Sequence, residues 1–163
     1  MFKKKLELIF LSIIFVAIVV LAKNYYDSYT FNKNDISDEY KQLISDKETQ
    51  ILALMQKHYG YTFKVPIIVT NKFQGKLFGL TSYRDGNIKI YLNKKVMRES
   101  MHYIIDSVIA HEYAHALMFK KAYLRSIKNA HSKQWMDTCL NLGALNCEKY
   151  VNQNEVIMAK MPF

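Results

Sequence analysis

The sequence predicts an α+β chain with a separate apolar helix at its N-terminus. A helical apolar period runs from Asp35 to Gly60, three short strand-like segments cluster between Val65 and Asn93, and a second helical period occupies Ser100 to about Lys121. Clustered strands flanked by helices exclude the strand–helix alternation of a doubly wound sheet. They favour a small antiparallel sheet packed with a central helix and its neighbours. With 163 residues the chain holds one compact domain plus an appendage. Its 50 % apolar and 23 % charged residues exclude bulk disorder.

The first element follows "MFKKK". It is "LELIFLSIIFVAIVVLA", Leu6 to Ala22, broken only by Glu7 and Ser12. Such a run has no polar face to show to water, so residues 1–22 read as a membrane anchor, or alternatively as a signal peptide cleaved after Val20-Leu21-Ala22. Lys3, Lys4 and Lys5 outweigh Lys23, which has Asp27 close behind it. The positive-inside rule then keeps the N-terminus in the cytoplasm and sends the rest of the chain across the membrane. The remaining basic residues behind the net charge of +9 are dispersed and read as a solvated surface. A nucleic-acid partner is not expected of an extracytoplasmic domain.

Residues 23–34, "KNYYDSYTFNKN", are polar and aromatic without a clear period and read as a linker. The domain proper is 35–163. Ile36, Tyr40, Leu43, Ile44, Ile51, Leu52, Leu54 and Met55 give its first helix one apolar stripe, ended by Gly60. "VPIIVTN", "LFGLTSY" and "NIKIYLN" are the strands, and "RDGN" between the last two is a hairpin signal, because Asp-Gly supplies the positive φ of a tight turn. Ser100 is placed to cap the next helix, with Ile104, Ile105, Val108, Ile109, Ala116 and Leu117 as its apolar face. A last helix is expected from Ser132 to Leu142, stopped near Gly143. Cys139 and Cys147 flank that Gly and lack zinc-site spacing; in an oxidising compartment they can pair.

The chemistry concentrates in "IAHEYAHALMF", Ile109 to Phe119. On a helix His111 and His115 share one face and can present both imidazoles to one ion. Glu112 is turned about 100° from His111, which suits it to take a proton from an attacking water and pass it to a leaving amine. Catalytic zinc normally has a third protein ligand. The form of the motif with Gly and a third His close behind is absent, since Met118 and Lys121 stand in those places. His131, in "NAHSKQWMDTCL", is the favoured third ligand, with Glu148 or Glu155 the alternatives of a glutamate-type site. His58 and His102 read as ordinary core or surface residues. Tyr83, Arg84 and Tyr113 are candidate stabilisers of an oxyanion, though a packing or surface role explains each more simply.

Together "DGNIKIYLN", "DSVIAHEYAHALM" and "HSKQW" resemble the SprT-like zinc metallopeptidase domain over roughly Val65 to Leu142. That family has a strand ending in Leu-Asn or Leu-Ser, a helix with HExxH, and a third His opening a helix with an aromatic four residues on. The resemblance implies a zincin-like fold, Zn2+ held by His111, His115 and His131, Glu112 as the catalytic glutamate, and Trp135 packing the last helix on the motif helix. It implies hydrolysis of a protein or peptide substrate. Ser132 replaces the family's usual Gly. The N-terminal apolar segment also departs from generally soluble relatives, so their action on DNA-crosslinked protein is not carried over. A non-catalytic, zinc-stabilised binding domain on a membrane tether is the competing reading.

Overall fold

The computed structural model describes residues 2–73, 77–121 and 130–148, and the chain divides into two units, Met1–Ile36 and Ser37–Phe163. The first unit is a single helix, α1 (Phe2–Lys33), whose apolar side chains from Leu6 to Leu21 are exposed within the protein. Among the described residues it is the one helix long and apolar enough to cross a membrane. The helix does not stop at Ala22. Residues 23–33, expected as an irregular linker, continue it, since they contain no Gly or Pro to break the hydrogen-bond ladder. Thr30 Oγ1 even donates back to the Tyr26 carbonyl at 3.0 Å. The segment lacks an apolar period because this helix buries no face of its own.

In the second unit, α2 (Asp38–Tyr59) begins three residues later than the apolar pattern suggests, because the Ser37 hydroxyl accepts from the Tyr40 N–H and sets the N-cap. It ends at Gly60. Ile44, Ile51 and Met55 form its buried stripe, and Lys47 and Glu48 are buried beside them.

Three strands follow, β1 (Ile67–Thr70), β2 (Gly79–Arg84) and β3 (Asn87–Asn93), in the spatial order β1-β3-β2. The β2–β3 hairpin is antiparallel and turns at Asp85 and Gly86, whose φ values of 52° and 81° are those the Asp-Gly pair was expected to supply. β1, however, pairs parallel to β3, so the sheet is mixed rather than wholly antiparallel. The intervening β2 gives the chain the length that a parallel return requires, and nothing in the composition of β1 sets its direction. Gly79 lies opposite Leu92 and Thr81 opposite Ile90, which places both on the face that carries the buried Ile88, Ile90 and Leu92.

Asn93 ends β3 and starts the next helix. Its side chain accepts from the Lys95 N–H at 3.1 Å, and its amide donates to the Leu77 carbonyl at 2.7 Å. Helix α3 (Lys94–Tyr103) therefore starts earlier than expected. Ser100 is not its cap: it is buried inside the helix at a kink with φ −138° and ψ 26°. One π-helical turn, Ile104–Val108, closed by the Ile109 N–H on the Ile104 carbonyl, joins α3 to α4 (Ile109–Lys120). The extra residue in that turn re-aims the motif helix. α4 packs against β2, β3, α2 and α5 (Lys133–Asn141). Ser132 caps α5 by accepting from the Trp135 N–H.

Past α5 the chain is tied down three ways. Cys139 and Cys147 form a disulfide, Lys47 Nζ donates to the Gly143 carbonyl at 2.9 Å, and the Leu145 N–H donates to the Asp106 carbonyl at 3.0 Å. Glu155 and the "KMPF" tail lie outside the described residues.

The core holds one buried polar relay. Tyr113, on α4, donates its hydroxyl to Glu48 Oε1 at 2.6 Å and accepts from the Val65 N–H at 3.2 Å, while Lys64 pairs with Glu48 Oε2 at 2.9 Å. Tyr113→Phe removes the hydroxyl, leaving a Glu48 oxygen and the Val65 N–H unsatisfied in the interior. The expected loss is about 1–3 kcal/mol of stability, read from the denaturant midpoint at constant m-value. An unchanged midpoint would show that the relay contributes nothing.

Candidate metal centre

The i, i+4 spacing places His111 and His115 on one face of α4 with ring centroids 5.0 Å apart. The third imidazole comes from elsewhere. The capped start of α5 carries His131 to within 5.4 Å of the His111 ring and 4.9 Å of the His115 ring. Among the described residues, one ring nitrogen of each of the three lies within 4.8 Å of the others. Trp135, one turn into α5, is fully buried against all of them, its ring 4.7 Å from His111, 5.0 Å from His115 and 4.5 Å from His131. Its indole N–H has no hydrogen-bond partner among the described residues.

This donor set fits a metal ion and is consistent with zinc. Nitrogens at roughly 2.0–2.1 Å from a tetrahedral ion stand about 3.4 Å from one another, a closure that small χ rotations of three half-buried rings can supply. Three imidazoles also leave the fourth position of a tetrahedral ion open for water, as catalytic sites require. Burial pushes His111 down to about 4, with the nearby His131 adding to the effect. Burial likewise pushes His115 down to about 3, helped by both other histidines. The two rings keep free lone pairs well into the acid range.

Glu112, between the two histidines in sequence, packs its side chain against β2. It is buried, and the Thr81 hydroxyl lies 2.6 Å from its Oε2 and 2.8 Å from its carbonyl oxygen. Burial pushes this carboxyl up to about 7, with the Thr81 hydrogen bonds pulling the other way. Gly79, two residues before Thr81 on β2, presses so close that a Cβ there would stand 2.9 Å from Glu112 Cγ, Glu112 Oε1 and Val108 Cγ1.

A profile of the SprT-like family matches residues 41–156, well over half of the chain. The chain belongs to the SprT-like family. No curated protein and no solved structure matches it. The SprT-like match reaches back to residue 41, inside α2, further than the motifs around the histidines indicate.

The structure sorts the candidates by position. His111, His115 and His131 are brought together, and the Glu112 carboxylate stays outside that group, on the Thr81 hydroxyl. Glu148 is exposed on the far side of the disulfide, its backbone N–H on Asn146 Oδ1, and stays outside the histidine group. Glu155 falls outside the described residues. His58 and His102 are exposed and isolated from the cluster, as expected. Tyr113 points about 200° away from His111 into the core relay, and Arg84 is exposed at the hairpin beside Asp85. Tyr83 stacks on Phe119 at 5.4 Å, and Phe119 follows His115 by one turn on the same face of α4. Thr81 and Gly79 were not legible as site residues. Their signal, a small and a hydroxylated residue alternating on one strand face, is common in any sheet.

These titrations set how the metal-free protein responds to acid. Between the ordinary histidine value of 6.5 and the folded values of about 4 and about 3, the unfolded chain binds two protons that the folded chain excludes. Glu112 opposes this with one proton, because its folded value of about 7 lies above the ordinary 4.5. Two protons outweigh one, so stability rises with pH across that shared window. Denaturation with a chelator present is expected to show a lower midpoint at about pH 5 than at about pH 6.5, and a steeper fall in Glu112→Gln, which lacks the opposing carboxyl. Equal midpoints in the wild type would contradict the buried, neutral state of the two rings.

Proposed function

We propose that this SprT-like protein is a membrane-anchored zinc metallopeptidase that hydrolyses peptide bonds in protein substrates outside the cytoplasm. One observation carries the reading: His131 converges on the HEYAH pair, while the carboxylate of the intervening Glu112 is buried on the Thr81 hydroxyl and does not join the three imidazoles. His111, His115 and His131 would hold the ion, and Glu112 would move the proton. When bound, zinc supplies Lewis acidity, acidifying water and polarising a scissile carbonyl.

The protein's own groups do the rest. The imidazoles of His111 and His115, held neutral by burial, offer lone pairs without first losing protons. Glu112 sits in a site whose burial raises its proton affinity, and a cation alongside lowers it again. That balance suits a carboxylate that accepts a proton from water at one step and releases it to the leaving amine at the next. Tyr83 is the candidate best placed to meet a developing oxyanion, since its stacking on Phe119 keeps it beside the histidine-bearing face.

For location, α1 at 32 residues extends about 48 Å, more than the roughly 30 Å hydrocarbon layer. Leu6–Ala22 would occupy the layer, and the exposed Tyr25, Tyr26 and Tyr29 suit the interface beyond it. The lysine excess before Leu6 favours a cytoplasmic N-terminus. The Cys139–Cys147 disulfide fits an oxidising compartment for the domain, where a nucleic-acid partner is not expected.

Zinc analysis of the purified chain is expected to give one equivalent in the wild type and in Glu112→Gln, and a large loss in His131→Ala. Glu112→Gln is expected to lose hydrolysis by several orders of magnitude with metal and fold intact. Full hydrolysis in that variant would overturn the assignment, and full zinc occupancy in His131→Ala would move the third ligand elsewhere. An alkaline phosphatase fused to the C-terminus is expected to be active, and an inactive fusion would place the domain in the cytoplasm.

A further inference from the structure

We propose that Thr81 is a positioning residue for Glu112, its hydroxyl locking the carboxylate against β2 so that it stands beside the metal position in one orientation. The inference rests on the reading of Glu112 as the proton-transfer group.

The geometry makes the lock specific. The Thr81 hydroxyl touches Glu112 at both ends, 2.6 Å from Oε2 and 2.8 Å from the carbonyl oxygen. The second contact ties the strand to the helix backbone, so the first is made from a fixed point. Among the described residues Thr81 is the hydrogen-bond partner of this carboxylate, which is 6 % exposed and has little water to turn to. Gly79 closes the other side. No side chain fits between β2 and Glu112 there, because a Cβ would meet Cγ and Oε1 at 2.9 Å. The two residues stand on the same face of β2, and their pairing with Leu92 and Ile90 of β3 keeps that face in register with α4. A flexible glutamate is thereby reduced to a single rotamer before substrate arrives, which is what proton transfer to a positioned water demands.

The test uses the full chain in detergent with zinc, comparing wild type, Thr81→Val, which keeps shape and loses the hydroxyl, and Thr81→Ser, which restores it. The side-chain carboxyl carbon of Glu112 is followed by NMR on glutamate-labelled protein and assigned by its absence in Glu112→Gln. Hydrolysis is measured on fluorescently labelled casein. Thr81→Val is expected to shift or broaden the Glu112 carboxyl signal and to lower kcat roughly ten- to hundredfold with KM and zinc content little changed. Thr81→Ser is expected to recover both. A carboxyl signal that does not move in Thr81→Val overturns the inference whether or not casein is cleaved. So does a signal that moves with kcat unchanged, or a kcat loss that Thr81→Ser fails to rescue. If the signal moves and is rescued while wild-type and Glu112→Gln proteins are equally inactive on casein, the positioning contact stands and it is the peptidase reading that fails.

Discussion

The site depends on one packing constraint: α5 must lie against α4 so that a histidine from the loop before it meets two from the helix. His111 and His115 come together through helix pitch alone, whereas His131 is sixteen residues beyond His115 and arrives through tertiary structure. Trp135 is the wedge that decides the angle. Its ring touches every imidazole and is itself fully buried. A large aromatic buried in this way contributes several kcal/mol to holding the two helices together. The disulfide, the Lys47 bond to the Gly143 carbonyl and the Leu145 bond to Asp106 hold the far end of α5. The Ser132 cap sets its near end, one residue from His131.

The opposite side of α4 is built for rigidity with polar groups. Tyr113 and Glu112 are neighbours in sequence that face different partners: Tyr113 is anchored to α2 through Glu48, and Glu112 to β2 through Thr81. The helix is thus held from two directions by short hydrogen bonds and from a third by Trp135. The Tyr113 hydroxyl and the Thr81 hydroxyl are both partnered in these contacts, and satisfied buried polar groups hold one arrangement instead of several. The π-helical turn before Ile109 belongs to the same design, since its extra residue sets the direction in which α4 leaves α3.

Much of this was legible in the sequence, for reasons particular to each element. The hairpin was readable because Asp85-Gly86 encodes its turn locally, and α2 and α5 because the apolar period of α2 and the glycines that follow both helices are local as well. The pairing of His111 with His115 was readable because helix pitch and donor chemistry restrict what HEYAH can be. His131 was favoured over the two glutamates by its place opening the last helix, and the resemblance to a family pointed the same way. What escaped were features decided by tertiary contact. The direction of β1 is set by its place at the far edge of β3, not by its own composition. The start of α3 depends on Asn93 reaching the Leu77 carbonyl, and Ser100, a good cap by type, sits in a kink instead. Residues 23–33 carry no apolar stripe in sequence, because α1 is helical without a buried face to encode. Thr81 and Gly79 matter only because β2 passes over Glu112.

The measurement that bears most directly on the central claim is zinc-edge X-ray absorption on the purified full chain. The account predicts a first shell of nitrogen and oxygen alone at roughly 2.0 Å, with the multiple-scattering pattern of three imidazoles. A shell containing sulfur, or one that fits only two imidazoles, would contradict it.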